Sequence, residues 1–150
     1  MDPVRSHEHS EEVVTLHLPG KFSYLRIARQ SVIDFCARAQ LSEFKAAQLE
    51  MAVDEACSNI IEHSYGGEIE DGTSGIQIIL TQLPDAVKVE IFDFGTGFDV
   101  DNTPPVPPIQ YIENCQTRGL GLYSISSFVD ECAYTRNTNS GNCLKLVKRV

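Results

Sequence analysis

Long apolar runs, cysteine pairs and basic clusters are all missing from this sequence. In its 150 residues no apolar stretch approaches the roughly 20 that a helix needs to cross a bilayer. The opening MDPVRSHEHSEE also lacks the apolar centre of a signal peptide, so we expect a cytoplasmic protein with no membrane partner. The five cysteines are odd in number and form no C-x-x-C pair, which predicts small buried or half-buried side chains and neither a disulfide framework nor a zinc site.

Basic residues are outnumbered, with 12 Lys and Arg against 21 Asp and Glu and a formal net charge of -9. Because no basic stripe is available to hold a phosphate backbone, direct nucleic-acid binding is not expected. A nucleotide is still compatible, since it brings magnesium and needs only a few local groups. The length and the 42% hydrophobic content fit one packed domain at 12–150, which we expect to follow a flexible N-terminal tail at 1–11.

Apolar periodicity predicts three helices and five strands. The first helix is expected at 22–39 and the third at 119–128. The second is expected to begin after Ser42 as its N-cap and to end at Tyr65-Gly66-Gly67. The strands are expected at 13–18, partly covered on the second face, and at 76–82, 87–93, 132–136 and 143–148. Strands in hairpins with helices inserted singly or in pairs predict an α+β two-layer α/β sandwich, a mixed and mainly antiparallel sheet with helices on one face. The proline-containing segment 94–117 is expected to be a lid or binding loop.

The second predicted helix contains the string Glu55-Ala56-Cys57-Ser58-Asn59. A spacing of four places Glu55 and Asn59 on one polar face, where a carboxylate and a carboxamide can address the same ligand. Taken alone, such a pair is more often simply a solvated polar face of a helix.

The string Asp93-Phe94-Gly95-Thr96-Gly97 stands at the end of a predicted strand. Gly95 and Gly97 let the backbone turn sharply and approach a ligand, while Asp93 can accept a hydrogen bond from an exocyclic amine such as that of adenine. The alternative interpretation is a tight turn capped by the aspartate.

The string Arg118-Gly119-Leu120-Gly121-Leu122 leads into the third predicted helix. Free backbone N–H groups, the helix dipole and the Arg118 cation together favour a phosphate there. A Rossmann site is excluded because no strand precedes these glycines and no third glycine is in place, and no G-x-x-x-x-G-K-[ST] string occurs.

In this order and setting the motifs resemble those of the GHKL (Bergerat-fold) ATPase superfamily, which includes gyrase, Hsp90 and histidine-kinase ATP domains. The stretches DEACSNIIEHSYGG, DFGTGFD and RGLGL look most like the anti-sigma-factor serine/threonine kinases, and the resemblance spans about residues 13–148. It implies a histidine-kinase ATPase-like fold with ATP and Mg²⁺ as cofactors. It also implies an anti-sigma-factor antagonist as substrate and a sigma factor as second partner, and it allows a homodimer.

The resemblance also implies residue roles. Asn59 would coordinate Mg²⁺, Asp93 would bind the adenine amino group, and Glu55 would be the catalytic base. The other implied nucleotide contacts are Gly95 and Gly97 at the adenine, and Arg118, Gly119, Leu120, Gly121 and Leu122 at the phosphates, with Arg118 also assisting catalysis. Where the family often has Gly-Thr near the last strand, this sequence has Gly141-Asn142; Asn142 can still hydrogen-bond there and is expected among the nucleotide-binding residues. His63 is expected to pack or cap the helix end.

The expected function is transfer of the γ-phosphoryl group of ATP to a serine of a small anti-sigma-factor antagonist, together with sequestration of a sigma factor. The main alternative is a non-catalytic, ATP-gated protein-binding switch, which has less need of a base at Glu55. The ATP domain of a two-component histidine kinase is a third interpretation, disfavoured because no dimerisation helix with a phosphorylatable histidine is evident.

Overall fold

The computed structural model describes residues 11–69, 75–97, 110–113 and 122–150. The predicted tail at 1–11 lies outside this part apart from Glu11. The strands are β1 (Val13–Pro19), β2 (Gly75–Gln82), β3 (Ala86–Asp93), β4 (Gln110–Glu113), β5 (Glu131–Thr138) and β6 (Gly141–Arg149). The helices are α1 (Leu25–Arg38), α2 (Glu43–Asn59) and α3 (Leu122–Ser127), with a 3₁₀ turn at Phe22–Tyr24 and a π-helical turn at Ile60–Ser64.

The six strands form one sheet in the order β1-β2-β3-β6-β5-β4. The predicted α+β sandwich is confirmed, and every pairing among the described strands is antiparallel. The predicted β2–β3 hairpin closes where Leu83 N donates to Ala86 O at 2.8 Å. Strand β4 lies inside the segment 94–117, which its prolines predict to be a loop. A strand is possible there because it begins only after Pro108, and it pairs with β5 at the sheet edge.

Helices cover one face of the sheet, and the hydrophobic core lies between the two layers. The β2–β3–β6 register aligns Leu80 with Val89 and Val89 with Leu146, so all three side chains point to the same face. All three are no more than 1% exposed, and each such burial stabilises the fold by about 1.5–3 kcal/mol. The core thus fixes the register that places the last residue of β3 beside the start of β6.

Strand β1 is more exposed than its alternating pattern predicts. Val14 is 42% exposed and Leu16 is half-buried, whereas Leu18 is buried. As the edge strand beside β2, β1 meets the core only toward its carboxyl end. The prediction of partial cover on its second face is therefore wrong for Val13, Thr15 and His17, which are all exposed.

Helix α2 begins and ends near the predicted residues. The Ser42 hydroxyl caps it by accepting a hydrogen bond from Lys45 N at 3.2 Å. Beyond Asn59 the chain widens into the π-helical turn, in which Tyr65 N donates to Ile60 O at 2.9 Å. Gly66 then adopts a φ of 76°, a conformation that ends the helix and favours glycine.

Of the cysteines that the structure describes, Cys36, Cys57 and Cys143 are free and Cys132 is not. Cys36 and Cys57 are free and buried, and burial raises the pKa of Cys36 to about 11 and that of Cys57 to about 12, so both thiols stay protonated. Cys132 at the start of β5 is disulfide-bonded, so the expectation of no disulfide is wrong for this residue. Its spacing from the other cysteines matches no sequence pattern that indicates a bridge.

No helix in the described ranges has both the length and the apolar character that membrane spanning requires.

Leu49→Ala is expected to lower the free energy of unfolding by about 2–5 kcal/mol, because Leu49 is fully buried and its truncation leaves a cavity. Met51 on the same helix is 50% exposed, so Met51→Ala should change that free energy by less than about 0.5 kcal/mol. Urea unfolding followed by circular dichroism measures both values. Equal losses would contradict the buried face assigned to α2.

Candidate functional site

Asp93 is the last residue of β3 and is only 2% exposed. Its Oδ1 accepts hydrogen bonds from Ser64 Oγ, from Gly95 N at 2.9 Å and from Asn142 Nδ2 at 3.0 Å. Its other oxygen, Oδ2, receives no hydrogen bond from any residue that the structure describes. A buried acceptor without a donor is costly, so Oδ2 is an atom for which a ligand or a water would be expected to supply the donor.

Asn142 lies opposite Asp93 in the β3–β6 ladder and is also 2% exposed. Besides its bond to Asp93, its Nδ2 donates to Gly95 O at 3.1 Å. The carboxamide therefore bridges the aspartate and the loop that follows it. Asn142 thus hydrogen-bonds to Asp93 from this position, while its contact with a nucleotide stays a prediction.

Ser64 is a site residue that the sequence did not indicate. It ends the π-helical turn, is 2% exposed, and contacts the loop after β3 through both of its oxygens. Its Oγ donates to Asp93 and accepts from Gly97 N at 2.9 Å, while its carbonyl accepts from Thr96 N at 2.9 Å and from Thr96 Oγ1 at 3.1 Å. Ser64 lies within the family-like stretch DEACSNIIEHSYGG, but the resemblance assigns it no role, and the π-helical widening that brings it here leaves no periodic signal.

The two glycines of the loop are required by the protein's own packing. A Cβ at Gly95 would overlap Ser64. A Cβ at Gly97 would lie 2.7 Å from the Tyr134 hydroxyl and 2.9 Å from Asn142 Oδ1, and Gly97 has a φ of 76°. Their expected place beside an adenine ring stays a prediction.

Tyr65 holds the same loop from its other side. Its hydroxyl donates to Gly75 O at 2.6 Å and accepts from Phe94 N at 2.9 Å. Burial raises the pKa of Tyr65, the hydrogen bond from Phe94 N opposes this, and the nearby Asp93 carboxylate adds to the rise. The hydroxyl therefore links the start of β2 to the loop after β3.

Glu55 and Asn59 differ in exposure. Glu55 is exposed on α2, whereas Asn59, the last residue of that helix, is only 4% exposed. Asn59 is therefore buried and not solvated, and its expected role as a ligand of Mg²⁺ stays a prediction. His63 has a 45% exposed side chain, with Nε2 3.6 Å from Glu62 Oε2, and so lies at the surface of the helix end.

The predicted phosphate-binding string lies largely outside the described residues. The structure does not describe Arg118, Gly119, Leu120 or Gly121. It does describe Leu122, which is the first residue of α3. Most of the predicted lid also lies outside the described residues, namely 98–109 and 114–117. The phosphate contacts and the lid remain predictions.

A cavity of about 330 Å³ opens beside Phe94, between the end of β1 and the start of β2. Its lining residues are His17, Leu18, Pro19, Gly75, Ile76, Gln77 and Phe94. Neither Asp93 nor Asn59 lines it, so the cavity does not mark the hydrogen-bonded site. We place the candidate site at Asp93, where polar groups converge.

Comparison with known proteins gives consistent matches over most of the chain. Residues 18–148 match the family model described as "Histidine kinase-like ATPase domain". The chain is 31% identical over 122 residues to the serine-protein kinase RsbW of Listeria monocytogenes serovar 1/2a, which covers 79% of this chain and 76% of the relative. It is 27% identical over 127 residues to the protein of the same name from Halalkalibacterium halodurans, covering 82% and 75%. The corresponding Bacillus cereus (strain AH187) protein is 26% identical over 124 residues, covering 80% and 75%.

Tyr65 is expected to ionise only above pH 10.0, the ordinary value for tyrosine, because its pKa is raised chiefly by burial. For an acid with a raised folded pKa, the stability that the neutral hydroxyl confers is complete below the unfolded pKa and is lost as pH rises through the folded pKa. Alkaline titration at 295 nm, as the difference between wild type and Tyr65→Phe, measures this ionisation. The control variant is Tyr24→Phe, which also removes one phenol but at a partly exposed position. A titration midpoint for Tyr65 at or below pH 10.0 would contradict the assigned burial.

Proposed function

Because this chain belongs to the histidine kinase-like ATPase family and to that of the serine-protein kinase RsbW, we propose that it transfers the γ-phosphoryl group of ATP to a serine of a small protein. Family membership over residues 18–148 supports ATP as the nucleotide. The name of the relatives supports a protein serine as the acceptor.

The observation that carries the proposal is the buried carboxylate of Asp93. Its Oδ1 is filled by three donors, and Oδ2 has no donor among the described residues. The exocyclic amine of adenine is a donor of the required kind, so Asp93 fits an adenine base. Gly95 and Gly97, which shape the adjoining loop, are the proposed neighbours of the ring.

We assign the phosphate end of the nucleotide to the end of α2 and the start of α3. Asn59 is the proposed ligand of Mg²⁺, through its carboxamide oxygen, and it stands five residues before Ser64 on the same continuous helix. Bound Mg²⁺ would neutralise charge on the phosphates. The proposed phosphate contacts in the 118–122 string are Arg118, Gly119, Leu120, Gly121 and Leu122, on the strength of the resemblance.

Glu55 is the proposed general base. It is exposed one turn before Asn59, so the hydroxyl of a partner protein can reach it without opening the core. Glu55 would take the proton of the serine hydroxyl as that oxygen bonds to the γ-phosphorus and the bond to ADP breaks. The cation of Arg118 would stabilise the charge that develops on the phosphoryl oxygens.

The proposed partners are those that the resemblance implies, an anti-sigma-factor antagonist as substrate and a sigma factor that the protein sequesters, with a homodimer as the proposed assembly. Neither nucleic acid nor membrane is proposed as a partner, in keeping with the net charge of -9. The proposed location is the cytoplasm. The disulfide at Cys132 is the feature that favours an oxidising compartment instead.

A non-catalytic, ATP-gated switch is the second candidate function. The hydrogen bonds around Asp93 serve nucleotide binding and are equally suited to a protein that holds a partner without phosphorylating it. Glu55 separates the two functions, because only transfer needs a base near the acceptor.

ATP is expected to bind at least about tenfold more tightly than GTP, because guanine would turn a carbonyl oxygen toward Asp93 Oδ2. In Asp93→Asn the amide can keep its oxygen on the three donors and turn its NH₂ outward, so the preference for ATP should shrink or reverse. Calorimetric titration with both nucleotides measures the ratio. Equal wild-type affinities would remove Asp93 from base recognition.

Glu55→Gln is expected to slow single-turnover phosphoryl transfer by roughly 10²–10⁴-fold while nucleotide affinity stays near the wild-type value, because the base acts on the acceptor. Glu50→Gln removes the same charge from the same helix and should leave transfer nearly unchanged. Arg118→Ala should weaken both transfer and nucleotide binding, since a cation beside the phosphates acts in the ground and transition states.

Labelled ATP and candidate partners encoded in the same operon provide the transfer assay. Undiminished transfer by Glu55→Gln would rule out the base. If wild-type protein bound ATP and a partner but transferred no phosphate, the switch would replace the kinase as the function.

A further inference from the structure

Two side chains from distant parts of the chain donate to the same oxygen of Asp93. Ser64 comes from the π-helical turn after α2, and Asn142 comes from the start of β6. Both are 2% exposed, and both hydrogen bonds end on Oδ1. Together with Gly95 N they fill one side of the carboxylate. The carboxylate cannot rotate about its Cβ–Cγ bond without breaking these bonds in a place that water does not readily reach.

Ser64 also fixes the loop that follows Asp93. Its hydroxyl accepts from Gly97 N, and its carbonyl accepts from both the amide and the hydroxyl of Thr96. The lack of a side chain at Gly95 is what lets the loop lie this close to Ser64. The loop and the end of α2 are therefore one hydrogen-bonded unit.

The fixed orientation has a chemical consequence. With Oδ1 occupied by donors, Oδ2 is the oxygen left for a ligand, and it can only accept. A base with an amine at position 6 satisfies it, whereas a base with a carbonyl at that position brings acceptor against acceptor. Discrimination between the two bases depends on the carboxylate holding its place when the carbonyl is present.

We propose that Ser64 is a positioning residue for adenine recognition: its hydroxyl, with Asn142, holds Asp93 so that Oδ2 is presented to the 6-amino group. This inference rests on the proposed binding of an adenine nucleotide. Ser64 itself acts through Asp93, whose carboxylate its hydroxyl holds.

The test compares ADP with inosine diphosphate, which carries a carbonyl in place of the 6-amino group and a proton on N1, and which shares the ribose and both phosphates. In Ser64→Ala the ratio of the two affinities should fall by about tenfold from its wild-type value, the worth of roughly one hydrogen bond to a charged group. Asn142→Ala should lower the ratio in the same direction. Because both nucleotides need the same folded protein, a general loss of stability would lower both affinities and leave the ratio unchanged.

Thr96→Val is the matched control. It removes a hydrogen bond between the same loop and Ser64 but leaves all three bonds to Asp93 in place, so the ratio should stay within about twofold of wild type. Should Ser64→Ala fail to fold, Ser64→Cys keeps a side chain of similar size with a weaker donor and should also lower the ratio.

The outcomes separate the two proposals. A wild-type ratio in Ser64→Ala, or in Ser64→Cys where that variant is used, would overturn the positioning role and leave adenine recognition by Asp93 intact. A wild-type protein that bound both nucleotides equally would overturn both. A fall in the ratio for Thr96→Val as large as that for Ser64→Ala would show that loop attachment, and not the hold on the carboxylate, sets the preference.

Discussion

The structure depends on one buried carboxylate. Asp93 is placed in the interior at the end of a central strand, where an acidic side chain is costly unless donors surround it. Those donors come from the helix layer, from the neighbouring strand and from the loop backbone, so the carboxylate is the point at which both layers of the sandwich are joined. The glycines of the loop and the π-helical turn serve the same need, since each allows a donor to come close enough.

The sequence was sufficient where a local pattern and the tertiary structure agree. Helix α2 followed from its cap and apolar stripe, and the β2–β3 hairpin followed from two apolar runs around a turn. The Asp93 string was correctly placed at a strand end, and the partner role of Asn142 followed from the resemblance. For the helix, the hairpin and the Asp93 string, residues close in sequence determine the local geometry.

The rest required information that a single sequence does not contain. Ser64 owes its place to a widened helical turn, which periodicity does not reveal. Asn59 belongs to a helix face that the sequence predicts to be polar, yet it is only 4% exposed. The exposure of β1 depends on its position at the sheet edge. These are consequences of topology.

The order of the strands also has a temporal consequence. Asp93 ends the third strand along the chain, but the strand that completes its surroundings, β6, is made last of the six, with 47 residues between Asp93 and Gly141. During synthesis the growing chain can form α1, α2 and the first three strands while the carboxylate still lacks its β6 donor. Capacity to recognise a nucleotide base would then arise late, when the sheet closes around β6, so incomplete chains would have little means of competing for the nucleotide pool.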